Sequence, residues 1–201
     1  MNGADRYTLV KLVSKGKILN FGRYILKNGI KSPYFLDFTL LSSRIDLLET
    51  LIELVDKYFK KYMELEDADK YIGILNKGAV VTIPLAIKKK KPFALVSPEK
   101  GDIEVGTLET NEDIVLLDDM LSTGRTTLRI VDSLKKRYGV EIGKVFVVLD
   151  REEGGYKLLN REGVKVYRLA KISDVIKALY EFGMINEEEY NLVVDHLNKF
   201  K

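Results

Sequence analysis

The sequence lacks cysteine and tryptophan altogether, and its 201 residues include one histidine, His196. Without cysteine, the protein cannot form disulfide bonds, use a thiolate nucleophile or bind zinc or iron–sulfur clusters through cysteine. A Ser-His-Asp triad or a histidine-rich metal site would have to be built around His196 alone. That residue falls on a predicted C-terminal helix over residues 187–200, where we interpret it as a surface side chain.

Long apolar runs and an excess of charge of one sign are also absent. The 33 basic residues nearly balance the 30 acidic ones, and a net charge of +3 is too small to indicate nucleic-acid binding. We therefore interpret the run Lys88–Lys91 as the solvated end of a helix, with an RNA-binding patch as the alternative. Apolar runs such as 114–117 are far shorter than the roughly 20 residues of a membrane span, and no apolar leader opens the chain. The sequence predicts a cytoplasmic protein that binds neither nucleic acid nor a membrane.

The residues that are present suffice for one hydrophobic core. Apolar residues make up 46% of the chain, and its length suits a single domain. An N-terminal helix and short extended segments come first, after which strands and helices alternate, with strands predicted at 71–75, 93–96, 114–117, 144–149 and 165–169. This alternation predicts an α/β fold in which helices flank a central, mostly parallel sheet. Ligands of such sheets bind at the carboxyl ends of the strands.

The most informative segment runs from Ile114 to Thr127 and reads IVLLDDMLSTGRTT. An apolar strand ends in Asp118 and Asp119, and a loop of small and hydroxyl residues then leads into a helix. Backbone N–H groups, hydroxyls and a helix N-terminus suit a phosphate monoester, and neighbouring carboxylates can accept hydrogen bonds from two vicinal sugar hydroxyls. Together they describe a site for ribose 5-phosphate. The plain alternative is a capped connection between a strand and a helix. The motifs of Walker-type NTPases and of dinucleotide-binding folds are absent.

Residues 116–127 resemble the phosphoribosyl pyrophosphate signature of type I phosphoribosyltransferases. Residues 25–37 (ILKNGIKSPYFLD) resemble the N-terminal hood of orotate phosphoribosyltransferases, and residues 148–155 (VLDREEGG) resemble a strand-end motif of the same family. The C-terminal residues 172–197 resemble that family's closing helices. The resemblance implies a single phosphoribosyltransferase domain over 1–201, with a hood of about residues 1–40 plus the C-terminal helices and a core of about 41–170.

The resemblance also implies which residues bind phosphoribosyl pyrophosphate. Asp118 and Asp119 would hold the ribose hydroxyls, and Lys27 would lie near the reacting pyrophosphate. The loop Lys77-Gly78 would bind pyrophosphate as well. The segment that would surround the 5-phosphate consists of Met120, Leu121, Ser122, Thr123, Gly124, Arg125 and Thr126.

For the base, the resemblance implies contacts from three further places. Ser122 stands where the family has a hydroxyl residue that touches orotate, and Arg151 stands where an arginine meets it. A guanidinium can donate two parallel hydrogen bonds to a planar carboxylate. Phe35 and Leu36 fall at positions that pack on the pyrimidine, where the family often has two aromatic residues, so one aromatic platform is missing.

The sequence departs from the family in its catalytic loop. The corresponding segment, residues 96–108, is several residues short, and Ser97 stands where an arginine is usual. Lys100 is the only cation of this segment and is therefore its candidate catalytic residue, while acidic side chains at positions 99, 102 and 104 would repel pyrophosphate. Arg125 stands where a small residue is typical and could supply some of the missing positive charge.

The function implied is the transfer of ribose 5-phosphate from phosphoribosyl pyrophosphate to orotate, in a homodimer. Mg²⁺ would be held mainly by the substrate pyrophosphate and water, without a dedicated protein ligand. Two alternatives stay open. The protein could be a regulator of the same fold that binds phosphoribosyl pyrophosphate or a nucleotide with little or no catalysis, or it could be a transferase for another base.

Overall fold

The computed structural model describes residues 2–26 and 29–200. Its strands are β1 (Leu19–Ile25), β2 (Lys31–Leu36), β3 (Lys70–Ile74), β4 (Phe93–Val96), β5 (Ile103–Val105), β6 (Ile114–Leu121), β7 (Lys144–Asp150) and β8 (Lys165–Lys171). Its α-helices are α1 (Gly3–Lys15), α2 (Ile45–Phe59), α3 (Met63–Glu66), α4 (Ala79–Lys89), α5 (Arg125–Tyr138), α6 (Gly155–Arg161), α7 (Ile172–Glu181) and α8 (Glu187–Leu197). Short 3-10 helices cover Phe38–Ser43 and Asn198–Phe200.

The central sheet has six strands in the order β5-β4-β3-β6-β7-β8. All neighbours in it are parallel except β5, which returns antiparallel to β4. The predicted α/β fold with a mostly parallel, helix-covered sheet is confirmed. Every residue of β3 is buried, as expected for a strand that is covered on both faces.

The order of the strands determines where a ligand can bind. From β3 the chain crosses outward to β4, whereas from β6 it continues in the opposite direction to β7 and β8. The crevice of an open α/β sheet forms at such a reversal, outside the carboxyl ends of the strands. The loops that follow β3 and β6 therefore flank the expected binding crevice.

Three local predictions change in the structure. Strand β6 does not end at Leu117 but continues to Leu121, so Asp118 and Asp119 belong to the strand itself. The extended segments predicted before Phe38 form one antiparallel hairpin of β1 and β2. The short strand β5 was not predicted, because its three residues include a charged one and carry little periodic signal.

The prediction that His196 lies on the surface is wrong. The residue is only 2% exposed, because α8 packs against the β1–β2 hairpin, and its ring meets the ring of Tyr34 edge-on with centroids 5.8 Å apart. Val193 and Leu197 are buried on the same face of α8. The spacing i, i+3, i+4 of these three residues is the signal that marks His196 as part of an inward face.

The interpretation of Lys88–Lys91 as a solvated helix end also needs correction, at Lys89. This side chain is buried and forms ion pairs with Asp56, at 2.7 Å, and with Glu66. Burial alone would raise the pKa of Asp56, but hydrogen bonds from Lys89 and Lys60 hold that pKa below its usual value. The cluster joins α2, α3 and α4.

We expect Lys89→Ala to lower the free energy of unfolding by about 3 kcal/mol, since it leaves a buried carboxylate without its nearest partner. The neighbouring variant Lys88→Ala is the matched control, because the pair between Lys88 and Glu53 is solvent-exposed and such pairs contribute little. Urea denaturation at neutral pH measures both. Because the folded-state pKa of Asp56 is lowered, its stabilisation should be present above the unfolded pKa and lost as the pH falls through the folded one. Equal effects of the two variants would contradict this account.

Candidate active site

The loop after β3 lies against the sheet at the reversal of strand order. Gly78 starts α4 so close to the neighbouring strands that an added Cβ would stand 2.7 Å from the carbonyl oxygen of Leu117 and 2.8 Å from that of Ile74. Only glycine fits there. The peptide bond between Leu75 and Asn76 is cis. The close approach of Gly78 brings the loop, with the half-buried Lys77, to the end of β6.

The two acidic residues of β6 lie beside this loop. Asp119 is 2% exposed, and its backbone N–H donates to Oδ1 of Asp118 at 2.9 Å. Within residues 2–26 and 29–200, Oδ2 of Asp119 is buried and has no hydrogen-bond partner. Burial, and then the charge of Asp119, raise the pKa of Asp118; burial also raises that of Asp119, although the ammonium of Lys77 opposes it. The pair therefore holds acceptor capacity that the fold itself does not use.

The expected phosphate pocket follows β6 directly. Gly124 has a positive φ of 76° and begins α5 without a side-chain cap, so the N–H groups of the first helical turn remain open to an anion. The pocket is closed from one side by the start of α6, since a Cβ on Gly155 would stand 2.5 Å from the carbonyl oxygen of Ser122. The segments that follow β6 and β7 thus form one wall.

This pocket is shorter than the sequence predicted. Met120 and Leu121 are the last residues of β6, and Leu121 is buried in a hydrophobic cluster. The loop itself consists of Ser122, Thr123 and Gly124, and α5 starts at Arg125. Arg125 and Thr126 are both exposed on the first turn of that helix.

An aromatic surface forms the opposite side of the site. Phe35 of β2 is half-buried, and Nζ of Lys77 lies 5.2 Å from the centre of its ring. The same ammonium lies 3.9 Å from a carboxylate oxygen of Asp37. The ring of Tyr24, on β1, packs beside Phe35 with centroids 5.5 Å apart. The hood therefore approaches the loop after β3.

Leu36 does not belong to this surface. It is fully buried in the main hydrophobic core, because alternate residues of a strand point to opposite faces and Phe35 takes the outer one. The ring beside Phe35 is that of Tyr24 from the neighbouring strand. Pairing of β1 with β2 brings it there, and this pairing could not be read from the motif around Phe35.

The loop after β7 brings Arg151 into the protein interior. Arg151 is 4% exposed, and its guanidinium lies 4.5 Å from the centre of the Tyr34 ring and 2.9 Å from a carboxylate oxygen of Glu153. The other carboxylate oxygen of Glu153 accepts a hydrogen bond from the hydroxyl of Ser122. The structure thus joins Arg151 to the phosphate loop through Glu153, a residue that the sequence analysis did not single out.

The shortened loop is held against α5. The carbonyl oxygens of Pro98 and Gly101 accept hydrogen bonds from Arg129 and Ser133, and Asp102 forms an ion pair with Arg137. Lys100 is exposed on this loop, and within the part of the chain that the structure describes it forms no ion pair with Asp118 or Asp119. Lys27 lies outside the described residues.

Two further residues near the site escaped the sequence analysis as functional candidates. Asp37 lies at the end of the segment that resembles the family hood, and in the structure its carboxylate caps the following 3-10 helix by accepting from the N–H of Thr39. Tyr24 lies in a separate extended segment. Among the described residues, no group of three or more histidine, cysteine or acidic side chains is arranged to hold a metal ion, and no helix is long and apolar enough to cross a membrane.

Comparisons with known proteins agree with this geometry, although no family model matches the sequence. The chain is 27% identical to an orotate phosphoribosyltransferase of Sulfolobus acidocaldarius, over 94% of its length and 96% of the relative. It is 29% identical to an orotate phosphoribosyltransferase of Pyrococcus abyssi, over 85% of its length and 94% of the relative.

Solved structures share the fold at lower sequence identity. UMP synthase of Leishmania donovani superposes with a TM-score of 0.85 at 21% identity, over 98% of this chain and 43% of that one. Orotate phosphoribosyltransferase of Aeropyrum pernix gives a TM-score of 0.74 at 24% identity, and the match covers 87% of this chain and 99% of that one. The Mycobacterium tuberculosis orotate phosphoribosyltransferase, solved in complex with phosphoribosyl pyrophosphate, gives a TM-score of 0.67 at 20% identity. The match covers 85% of this chain and 98% of that one.

Proposed function

We propose that this protein belongs to the orotate phosphoribosyltransferase family and transfers ribose 5-phosphate from phosphoribosyl pyrophosphate to orotate. The products would be orotidine 5′-phosphate and pyrophosphate. One observation carries the proposal. At the carboxyl end of β6, an acidic pair with an unused hydrogen-bond acceptor lies next to a helix N-terminus that no side chain caps. A phosphorylated ribose with two hydroxyls matches both.

In this proposal the protein acts by positioning and electrostatics. The first turn of α5 and the loop 122–124 bind the 5-phosphate, and Asp118 and Asp119 accept hydrogen bonds from the ribose hydroxyls. The ammonium of Lys77 lies beside the acidic pair, whose titration it influences, and would attract the leaving pyrophosphate. As the bond to pyrophosphate breaks, the anomeric carbon gains positive charge and the departing oxygens gain negative charge, which fixed cations stabilise.

Mg²⁺ fits this arrangement as a partner of the substrate. The site offers carboxylate oxygens, the hard donors that Mg²⁺ prefers directly or through its water shell, and Asp119 keeps one such oxygen without a partner among the described residues. Bound to pyrophosphate, the ion would neutralise charge on the leaving group. In this proposal, Asp118 and Asp119 would accept hydrogen bonds from its water ligands.

For the base, the half-buried ring of Phe35, with Tyr24 beside it, would stack on a planar pyrimidine, and Arg151 would pair with its carboxylate. Orotate carries its negative charge already, so no strong general base is required of a chain that has a single histidine. We also propose a homodimer, which analytical ultracentrifugation of the ligand-free protein would test.

The test is pyrophosphate release from phosphoribosyl pyrophosphate and Mg²⁺ with orotate, uracil, adenine or hypoxanthine as acceptor. We expect orotate to be the preferred base, and Arg151→Ala to reduce the ratio of kcat/KM for orotate over uracil about tenfold or more, since a site built for a charged group discriminates strongly against analogues that lack it. Arg168→Ala is the matched control, because Arg168 likewise lies over a tyrosine ring and pairs with a buried aspartate, on the edge strand β8.

The alternatives give different outcomes in the same assay. A non-catalytic regulator would bind phosphoribosyl pyrophosphate in calorimetry without releasing pyrophosphate to any base. A transferase for another base would prefer that base over orotate. Either result would overturn the orotate assignment. Only the second would still be consistent with a phosphoribosyltransferase.

A further inference from the structure

A cluster of buried polar side chains lies behind the proposed base site and connects four parts of the chain. We define it as the Glu153 cluster; its members are Ser32 of β2, Ser122 of the phosphate loop, Arg151 and Glu153 of the loop after β7, and His196 of α8. Except for the half-buried Ser122, these residues are buried. Buried polar groups depend on one another for hydrogen bonds, which restricts the mutual geometry of Ser32, Ser122, Arg151 and Glu153. Among the described residues, both imidazole nitrogens of His196 are buried without a hydrogen-bond partner.

Glu153 is the centre of this cluster. Its side chain is 0% exposed, and one carboxylate oxygen accepts from Nε of Arg151 at 3.0 Å and pairs with a terminal guanidinium nitrogen at 2.9 Å. The second carboxylate oxygen accepts the hydroxyl of Ser122. One carboxylate therefore holds the two residues that are implied to touch orotate.

The guanidinium of Arg151 is fixed from two other sides as well. It stacks over the ring of Tyr34, and a terminal nitrogen donates to the hydroxyl of Ser32 at 3.3 Å. Both of these residues belong to β2, the strand that also carries Phe35. The direction in which Arg151 presents its remaining donors thus depends on contacts with the hood and with Glu153 together.

His196 supplies little positive charge to this cluster. Its Nε2 lies 3.6 Å from Glu153, and burial lowers the pKa of the imidazole despite that neighbouring carboxylate. The counter-charge of Glu153 therefore comes from Arg151. Because this carboxylate receives both Nε and a terminal nitrogen of the guanidinium, the orientation of Arg151 follows its position.

We propose that Glu153 is a positioning residue of the base site, which holds the guanidinium of Arg151 and the hydroxyl of Ser122 in the arrangement that receives the carboxylate-bearing pyrimidine. The proposal rests on the proposed function. It assigns to Glu153 a geometric role, since its negative charge by itself would repel an anionic base. Length and hydrogen-bonding capacity at position 153 should therefore matter more than charge.

Two conservative variants separate geometry from charge. Glu153→Asp retains the charge but is one methylene shorter and cannot reach both partners, so we expect the KM for orotate to rise about tenfold. Glu153→Gln retains the length, an acceptor for Arg151 and a polar partner for Ser122, so the KM for orotate should stay within threefold. In both variants the KM for phosphoribosyl pyrophosphate should change less than threefold.

The adjacent glutamate provides a control. The carboxylate of Glu152 accepts from the N–H of Ser173 at the start of α7 rather than from Arg151, and Glu152→Asp should leave the KM for orotate within twofold. In an Arg151→Ala background, Glu153→Asp should have less than a threefold effect, since the larger part of its action passes through Arg151 and only the contact with Ser122 remains. A purely structural role would instead give additive losses.

The reverse pattern would overturn the inference: a tenfold rise in the KM for orotate with Glu153→Gln, or less than threefold with Glu153→Asp. Failure of the proposed function is distinguishable from this, because the unmodified protein would then transfer no ribose 5-phosphate to orotate. That result would refute the inference together with the function on which it rests.

Discussion

Grafting a full-length family loop, with its arginine, lysines and histidine, between Val96 and Ile103 should raise kcat by about 10²–10³ while leaving dissociation constants within a few-fold. Cations that meet the pyrophosphate chiefly as it departs stabilise the transition state more than the ground state, and one preorganised contact of this kind typically contributes 10²–10³ in rate. The native segment offers only Lys100.

The structure gives a second reason to expect slow turnover with the native loop. Its contacts with Arg129, Ser133 and Arg137 of α5, and a hydrogen bond from the N–H of Ile103 to the hydroxyl of Tyr138, hold it against the helix. A loop held in this way is poorly suited to close over a substrate and reopen for product release. Its acidic residues would also oppose a bound pyrophosphate.

Single-turnover and steady-state kinetics with phosphoribosyl pyrophosphate and orotate would measure the effect. The control is a graft of the same length made of glycine and serine, which tests loop length without cations and should leave kcat within about threefold. A native protein that already turns over at the common rate of about 10 s⁻¹ would contradict the prediction. Lys100 or Arg125 would then have to replace the missing cations.

The second large effect concerns the acidic pair. The double variant Asp118→Asn, Asp119→Asn should weaken binding of phosphoribosyl pyrophosphate in the presence of Mg²⁺ by about 10–100-fold, on the scale of charged hydrogen bonds. Asparagine keeps the shape of both side chains but removes the charged acceptors. Isothermal titration calorimetry measures the change directly.

The same variant should make the ligand-free protein more stable. Both carboxyl groups have a raised pKa in the folded state, so the ionised pair destabilises the fold, and this penalty grows as the pH rises through the folded pKa. We therefore expect a higher Tm at neutral pH, by about 2–4 °C for each kcal/mol relieved, and no gain at a pH where both groups are protonated.

A matched double variant lies at the other end of the same strands. Asp69 and Asp113 precede β3 and β6, and the N–H of Asp113 donates to the carboxylate of Asp69 at 2.8 Å. Changing both to asparagine should leave affinity for phosphoribosyl pyrophosphate unchanged. Unchanged affinity in the Asp118, Asp119 double variant would refute the site assignment, whereas a loss of both affinity and stability would indicate a structural role.

The acidic pair and the phosphate loop were predictable because they are contiguous. A buried strand, two carboxylates, a loop of small residues and a helix follow one another within residues 114–127, and each part determines its neighbour's geometry through backbone bonding. Local sequence is sufficient to propose such a site. The structure changes the extent of its parts, since β6 continues through Leu121.

The base site was less predictable because it is assembled from distant segments. Tyr24, Asp37 and Glu153 each appear ordinary in their own segments, as a strand tyrosine, a capping aspartate and a loop glutamate. Pairing of β1 with β2, and packing of the segment after β7 on the loop 122–124, bring them to the proposed base site. Within the segment 148–155, the sequence analysis assigned a role to Arg151 and none to Glu153.

The alternation of strands and helices, the absence of cysteine chemistry and the ribose-phosphate motif all followed from the amino-acid sequence, because they depend on periodicity and on neighbours along the chain. Which way Leu36 and His196 face, what Arg151 binds and where the shortened loop rests were decided by tertiary structure. Strand β2 and helix α8 each present two faces, and only their mutual packing selects the buried one. Burial and ion pairing depend on which distant segments pack together, and the sequence around a single residue does not indicate its distant neighbours.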